Sequence, residues 1–115
     1  MRNKSRNSIS ILSWNISGAF TSIEGDNYCK LHESEAVSRL ISSQDIFVLT
    51  ETHCGYNDKI NFDGFFVRPF VRTKSPNATK YTGGLAIGVR ETIRPGIKFL
   101  GNPTNCSEYA WLRQT

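Results

Sequence analysis

Apolar residues fall along this chain in short runs of two different periods. Residues Ile9 to Trp14 alternate, with Ile9, Ile11 and Ser13 on one side and Ser10, Leu12 and Trp14 on the other, which predicts a strand. Asn15 to Asn27 is polar, contains glycine and follows neither period. From Tyr28 to Ser42 the apolar residues Leu31, Ala36, Val37, Leu40 and Ile41 gather on one side of a predicted helix, with Asp26 or Asn27 as its cap. Glu35 and Arg39 stand one turn apart on the outer side. Asp45 to Thr50 holds the uninterrupted apolar run Ile46-Phe47-Val48-Leu49, the pattern of a strand buried on both faces. Strand, helix and strand in succession predict a right-handed crossover that leaves the two strands parallel.

Beyond Glu51 the pattern is all β. Gly64 to Arg72 predicts a strand pair or a bent edge strand, because Pro69 has no N–H to give to a ladder. Thr73 to Gly83 is a polar loop with Pro76 and Asn77 inside it. Leu85, Ile87 and Val89 alternate with Ala86, Gly88 and Arg90, which predicts a half-buried strand. Arg94-Pro95-Gly96 is a turn signal before the short apolar run Ile97 to Leu100. Gly101 to Ser107 is a second turn region, and Glu108 to Leu112 is the last predicted strand. That strand holds Trp111 yet lies at the end of the sequence with nothing after it to pair or cover it, so we expect a truncated domain.

Composition narrows the class. A chain of 115 residues is one domain's worth or part of one. With 38% hydrophobic and 21% charged residues, a disordered tail, a collagen-like fibre and a coiled coil are excluded. No apolar run approaches the roughly 18 residues of a spanning helix. The basic start, Met1 to Ser8, leads into a run too short for the core of a signal peptide. The expectation is an intracellular chain, nuclear or cytoplasmic, without a membrane partner. Cys29, Cys54 and Cys106 are odd in number and form no Cys-x-x-Cys pair, which predicts reduced thiols and not a disulfide framework or a zinc site. The net charge of +4 permits a polyanionic partner without requiring one.

Parallel pairing of the first two long strands changes the picture at two residues. Asn15 and Glu51 then sit at the carboxyl ends of neighbouring strands, the edge where ligands gather in layered α/β architectures. A carboxylate on such a support can ligate a hard cation, since Mg²⁺ takes one or two protein carboxylates and fills its shell with water and phosphate oxygens. An adjacent amide can orient a ligand or donate to a phosphate oxygen without adding negative charge. A solvated strand end has the same residues, so position alone leaves both readings open.

The wording around them points further. Ile11-Leu12-Ser13-Trp14-Asn15-Ile16-Ser17-Gly18 resembles the opening motif of the endonuclease/exonuclease/phosphatase superfamily, the DNase I-like fold. Asp45 to His53 (Asp-Ile-Phe-Val-Leu-Thr-Glu-Thr-His) looks like its second motif, in which a glutamate ends the second strand. Gly83-Gly84-Leu85-Ala86-Ile87-Gly88-Val89 is similar to the glycine-led strand that follows. The three motifs occur in the family's order and span nearly the whole chain. The resemblance implies an α/β (α+β) fold, the N-terminal half of a four-layer α/β/β/α sandwich. Residues 1–8 would be a flexible basic N-terminus and residues 9–115 a partial domain. Thr50-Glu51-Thr52-His53 with the Gly-Gly strand looks most like the apurinic-endonuclease-like domains of LINE-type retrotransposons. Those domains precede a reverse transcriptase and nick target DNA. Phosphatase, deadenylase and sphingomyelinase branches share the two opening motifs.

By resemblance, Glu51 and Asn15 are the catalytic pair that holds Mg²⁺, with Mn²⁺ as substitute: Glu51 is the binding carboxylate and Asn15 the active-site asparagine beside metal and scissile phosphate. The implied reaction is phosphodiester hydrolysis in DNA, with RNA or a phosphoinositide as the other substrate classes. The family's later motifs, Gly-Asp-x-Asn and a terminal Ser-Asp-His, do not occur, so the chain alone is expected to be inactive. His53 follows Glu51 closely enough to be weighed as a base, and His32 less so. Arg68, Arg72, Lys74 and Lys80, with Tyr81, cluster around the Pro76-Asn77 loop as a backbone-binding edge for nucleic acid or as an ordinary solvated loop. Asn77-Ala78-Thr79 matches a glycosylation acceptor by coincidence in an intracellular chain. Phe65, Phe66, Phe70, Trp111 and Trp14 read as packing residues. The alternative from a different class is a small stand-alone β-rich nucleic-acid-binding module without catalysis.

Overall fold

The computed structural model describes residues 8–23, 26–55, 57–72, 74, 76–78, 81–100 and 111–114. Its elements are β1 (Ile11–Asn15), β2 (Phe20–Ile23), β3 (Asp26–Cys29), α1 (Glu35–Ser42), β4 (Ile46–Thr50), β5 (Phe65–Phe70), β6 (Leu85–Arg90), β7 (Ile97–Leu100) and β8 (Trp111–Gln114). Short 3₁₀ turns occupy Lys30–His32 and Arg94–Gly96. Four strands form one mixed sheet in the order β1-β4-β6-β5. β1 and β4 are parallel, as the crossover pattern predicts, and β6 runs antiparallel to both β4 and β5. The class is α+β, consistent with the helix-and-sheet part of a DNase I-like domain.

The apolar run Ile46 to Leu49 makes β4 a central strand. Its alternate side chains feed two cores. Phe47 and Leu49 pack with Phe65, Ala86, Ile41 of α1 and Phe62, while Ile46 joins Leu85, Ile87, Val89 and Phe70 on the opposite face. Ile97, Phe99 and Leu112 of the antiparallel β7–β8 pair cover that second face. Cover on both sides corrects the expectation of a half-buried β6: Leu85 to Val89 is buried throughout. Gly88 lies in register with Phe47, whose ring occupies the place a Cβ would take.

Three further differences have local causes. The helix starts at Glu35, not Tyr28, because the Ser34 hydroxyl caps it by accepting from the Val37 N–H at 3.3 Å. Residues Asp26–Cys29 pair instead with Phe20–Ile23 as antiparallel strands, a pairing whose short irregular sequence showed no strand period. Finally, β8 does have a partner, β7, and begins at Trp111 in the described residues. Pro69 sits on edge strand β5, where a missing N–H costs no ladder bond to a further strand. Trp14 is 38% exposed on edge strand β1.

A polar clip ties the end opposite the candidate site. The Asp45 carboxylate accepts from the Ser10 N–H at 2.9 Å and lies 3.7 Å from the Arg90 guanidinium. Arg90 also donates to the Ser42 and Gln44 carbonyls at 2.7 and 2.6 Å, satisfying carbonyls at the end of α1. No helix of the described residues is long and apolar enough to cross a membrane. The basic N-terminus (1–7), Lys80, Cys106 and the 101–107 turn region lie outside the described residues.

Candidate active site

Asn15 closes β1, and its register partner on β4 is Thr50, the residue before Glu51. Parallel pairing therefore brings the two predicted site residues to one sheet edge. Main-chain bonds continue the ladder past both strands: Ile16 N–H to Thr50 O at 3.1 Å, Gly18 N–H to Glu51 O at 2.6 Å and Ala19 N–H to Thr52 O at 2.9 Å. On the other side, Thr52 and His53 N–H donate to the Gly84 and Gly83 carbonyls at 3.3 and 2.8 Å. Glu51 to His53 is thus gripped from both flanks. Ser17, Glu51 and His53 have φ of 51°, 55° and 55°, left-handed values outside glycine. Such residues cost about 1–3 kcal/mol each and collect at functional sites.

The side chains fit this frame. The Glu51 carboxylate lies 3.1 Å from His53 Nε2, with the two side chains 45% and 36% exposed. Asn15 Oδ1 accepts from the Ser17 N–H at 3.1 Å, which leaves the amide's NH₂ end to donate to a ligand. That geometry suits a phosphate oxygen better than a cation. A polar cavity of about 320 Å³ opens beside His53, lined by Ser17, Gly18, Thr52, Asp58 and Tyr81.

Residues 12–114 match the Endonuclease/Exonuclease/phosphatase family. The chain belongs to that family. No curated protein and no solved structure matches it. The family match embraces Asn15, Glu51, the Gly83-Gly84 strand and β8 in one span.

Within this nuclease/phosphatase-type domain the basic residues separate. Phe70 is in register with Leu85, and Leu85 with Thr50, so the segment after β5 leaves the sheet at the same edge as Asn15 and Glu51. Lys74 lies there with its ammonium 5.0 Å from the Tyr81 ring, and Arg72 is exposed on the same segment. Arg68 is elsewhere. Its guanidinium lies 5.2 Å from the Phe99 ring and 5.8 Å from Phe70, on the face covered by β7 and β8. Arg94 caps the same aromatic group, 3.7 Å over Phe66. Phe65 and Phe70 are core residues, as predicted.

The two histidines separate as well. His32 Nε2 is 2.7 Å from the Asn61 carbonyl and its ring lies 4.5 Å from Phe62, so it is a packing residue. Cys54 is buried, donates to the Thr52 carbonyl at 3.6 Å, and burial pushes its thiol up to about 11. Burial also pushes the Cys29 thiol up. Among the described residues both cysteines are free thiols.

Sequence reasoning missed Lys30. Its ammonium reaches back from the end of β3 to donate to the Ser17 carbonyl at 3.3 Å. A single lysine after Cys29 carries no signal until the β2–β3 hairpin turns it toward Asn15. Among the described residues, no group of three His, Cys, Asp or Glu side chains gathers to hold a metal ion. The Glu51 carboxylate is half-exposed and could hold a hard cation such as Mg²⁺, which takes one or two protein carboxylates and keeps most of its shell as water and substrate oxygens.

Proposed function

We propose that this chain carries the cation- and phosphate-holding part of a Mg²⁺-dependent phosphodiesterase acting on nucleic acid, DNA before RNA. The observation that carries the reading is the register of Asn15 against Thr50, which sets an amide beside a carboxylate at one strand edge. Glu51 would hold Mg²⁺ or Mn²⁺, and Asn15 would donate its NH₂ to a nonbridging phosphate oxygen. When bound, the cation supplies positive charge to the phosphoryl oxygens and leaving group. His53 keeps the Glu51 carboxylate in one orientation through the 3.1 Å contact. The Thr50-Glu51-Thr52-His53 wording with the Gly83-Gly84 strand supports a LINE-type, apurinic-endonuclease-like origin in a reverse-transcriptase polyprotein.

By resemblance, the residues that would complete proton transfer belong to the Gly-Asp-x-Asn and Ser-Asp-His motifs, which do not occur within these 115 residues. We therefore expect no robust plasmid nicking by the 115-residue chain with Mg²⁺. Calorimetric titration with Mn²⁺ tests the cation site directly. Wild type should bind one ion and Glu51→Gln should lose that binding; equal binding by both would sink the assignment.

A further inference from the structure

Gly18 marks a point where two nitrogen groups converge. A Cβ built there would meet His53 Nδ1 at 3.2 Å and Lys30 Nζ at 3.8 Å, from two different parts of the chain. Gly18 also has φ +97°, a conformation that L side chains rarely adopt, so the spot is kept free of a side chain twice over. The imidazole is already directed by Nε2 to Glu51, and the Lys30 ammonium has one protein acceptor, the Ser17 carbonyl. An ammonium has three donors, so two remain. Among the described residues no carboxylate pairs with Lys30, and none pairs with Lys74, whose ammonium lies 5.0 Å from the ring of Tyr81, a residue that lines the polar cavity. The one carboxylate lining that cavity, Asp58, accepts from the Gly55 N–H at 2.8 Å.

We infer that Lys30 and Lys74 form a second phosphate site flanking this cavity, which takes a phosphate of the substrate other than the one being hydrolysed. The inference rests on the phosphodiesterase reading and deepens it. It assigns the substrate-binding charge to Lys30 and Lys74 on the Asn15 edge, not to Arg68, whose guanidinium is committed to Phe99. The ligand chemistry is a phosphate ester that carries further phosphates near the reacting one. A nucleic-acid backbone and a polyphosphorylated inositol both have it.

The test uses the full chain in EDTA, so that no cation at Glu51 contributes. Binding of a 20-base-pair DNA duplex is followed by fluorescence anisotropy between 50 and 200 mM salt, and binding of inositol hexakisphosphate by NMR shifts. Each phosphate contact contributes about 0.9 to the slope of log K against log salt. Lys30→Gln and Lys74→Gln should each lower that slope by about one. Equivalently, each variant's deficit relative to wild type should shrink by about 3- to 4-fold across the salt range. Lys30→Arg should keep the wild-type slope, which a merely structural role for the lysine would not require. Shifts at Gly18, Lys30 and His53 with inositol hexakisphosphate and no duplex binding would identify the inositol class as the source. An unchanged slope in both glutamine variants, or no binding of either ligand at these residues, overturns the inference. Glu51→Gln separates the two claims: it should abolish Mn²⁺ binding while leaving the salt slope in EDTA intact. Loss of the cation assignment would therefore leave the lysine result standing.

Discussion

Replacing Gly88 by alanine tests the two-core packing of the sheet. The added Cβ would stand 2.1 Å from Phe47 Cζ and 2.2 Å from Cε2, well inside ordinary contact. The ring has little room to give. Phe47 is fully buried and wedged between Phe62 and Phe65, with ring centroids 5.3 and 5.2 Å away. Overpacking of this kind costs about 1–3 kcal/mol. The reduced freedom of the unfolded chain returns about 0.4–1 kcal/mol. The net expectation is a loss of about 1 kcal/mol, read as a lower urea midpoint at unchanged slope. Phe47→Leu in the Gly88→Ala background should recover part of the loss, because the smaller side chain vacates the volume the methyl needs. Gly88→Ala as stable as wild type, or strictly additive effects in the double variant, would refute the packing argument.

Other expectations follow from the same geometry. Arg90→Ala removes donors from the Ser42 and Gln44 carbonyls and a partner from Asp45, and should lower Tm by on the order of 10 °C in a thermal melt. Ser34→Ala should cost about 1 kcal/mol in urea titration, and Ser34→Asp should restore it. The Cys54 thiol is raised from 9.0 to about 11 in the fold, so the folded state favours the protonated form. Its contribution is full below pH 9 and lost as pH rises toward about 11, a decline that Cys54→Ala should lack in pH-dependent unfolding.

The sequence pattern made legible those elements whose period was unbroken. Ile46 to Leu49 fits a strand buried on both faces, and its parallel partner β1 followed from the intervening helix. The β2–β3 hairpin was not legible, because its strands are four residues each and their sequence follows no apolar alternation. The burial of Ala86 and Gly88 was hidden for a similar reason: small residues read as exposed until an aromatic ring from β4 covers them. At the site, the meeting of Asn15 and Glu51 at one edge was legible from the strand ends, while their candidate roles came from the resemblance to the two opening motifs. Lys30 was not, since its place depends on that hairpin. Arg68 shows the converse, a charge that clusters in sequence with the loop but packs on the opposite face because it alternates with Val67 along β5.

The central claim is that the edge formed by Asn15 and Glu51 is a divalent-cation site, and paramagnetic broadening by Mn²⁺ tests it most directly. In ¹⁵N-resolved NMR spectra of the full chain, substoichiometric Mn²⁺ should erase the amide signals of Asn15, Glu51 and His53 first, leaving those of α1 and β7 sharp. Glu51→Gln should abolish the effect. Broadening spread evenly over the chain, or centred away from this edge, would contradict the account.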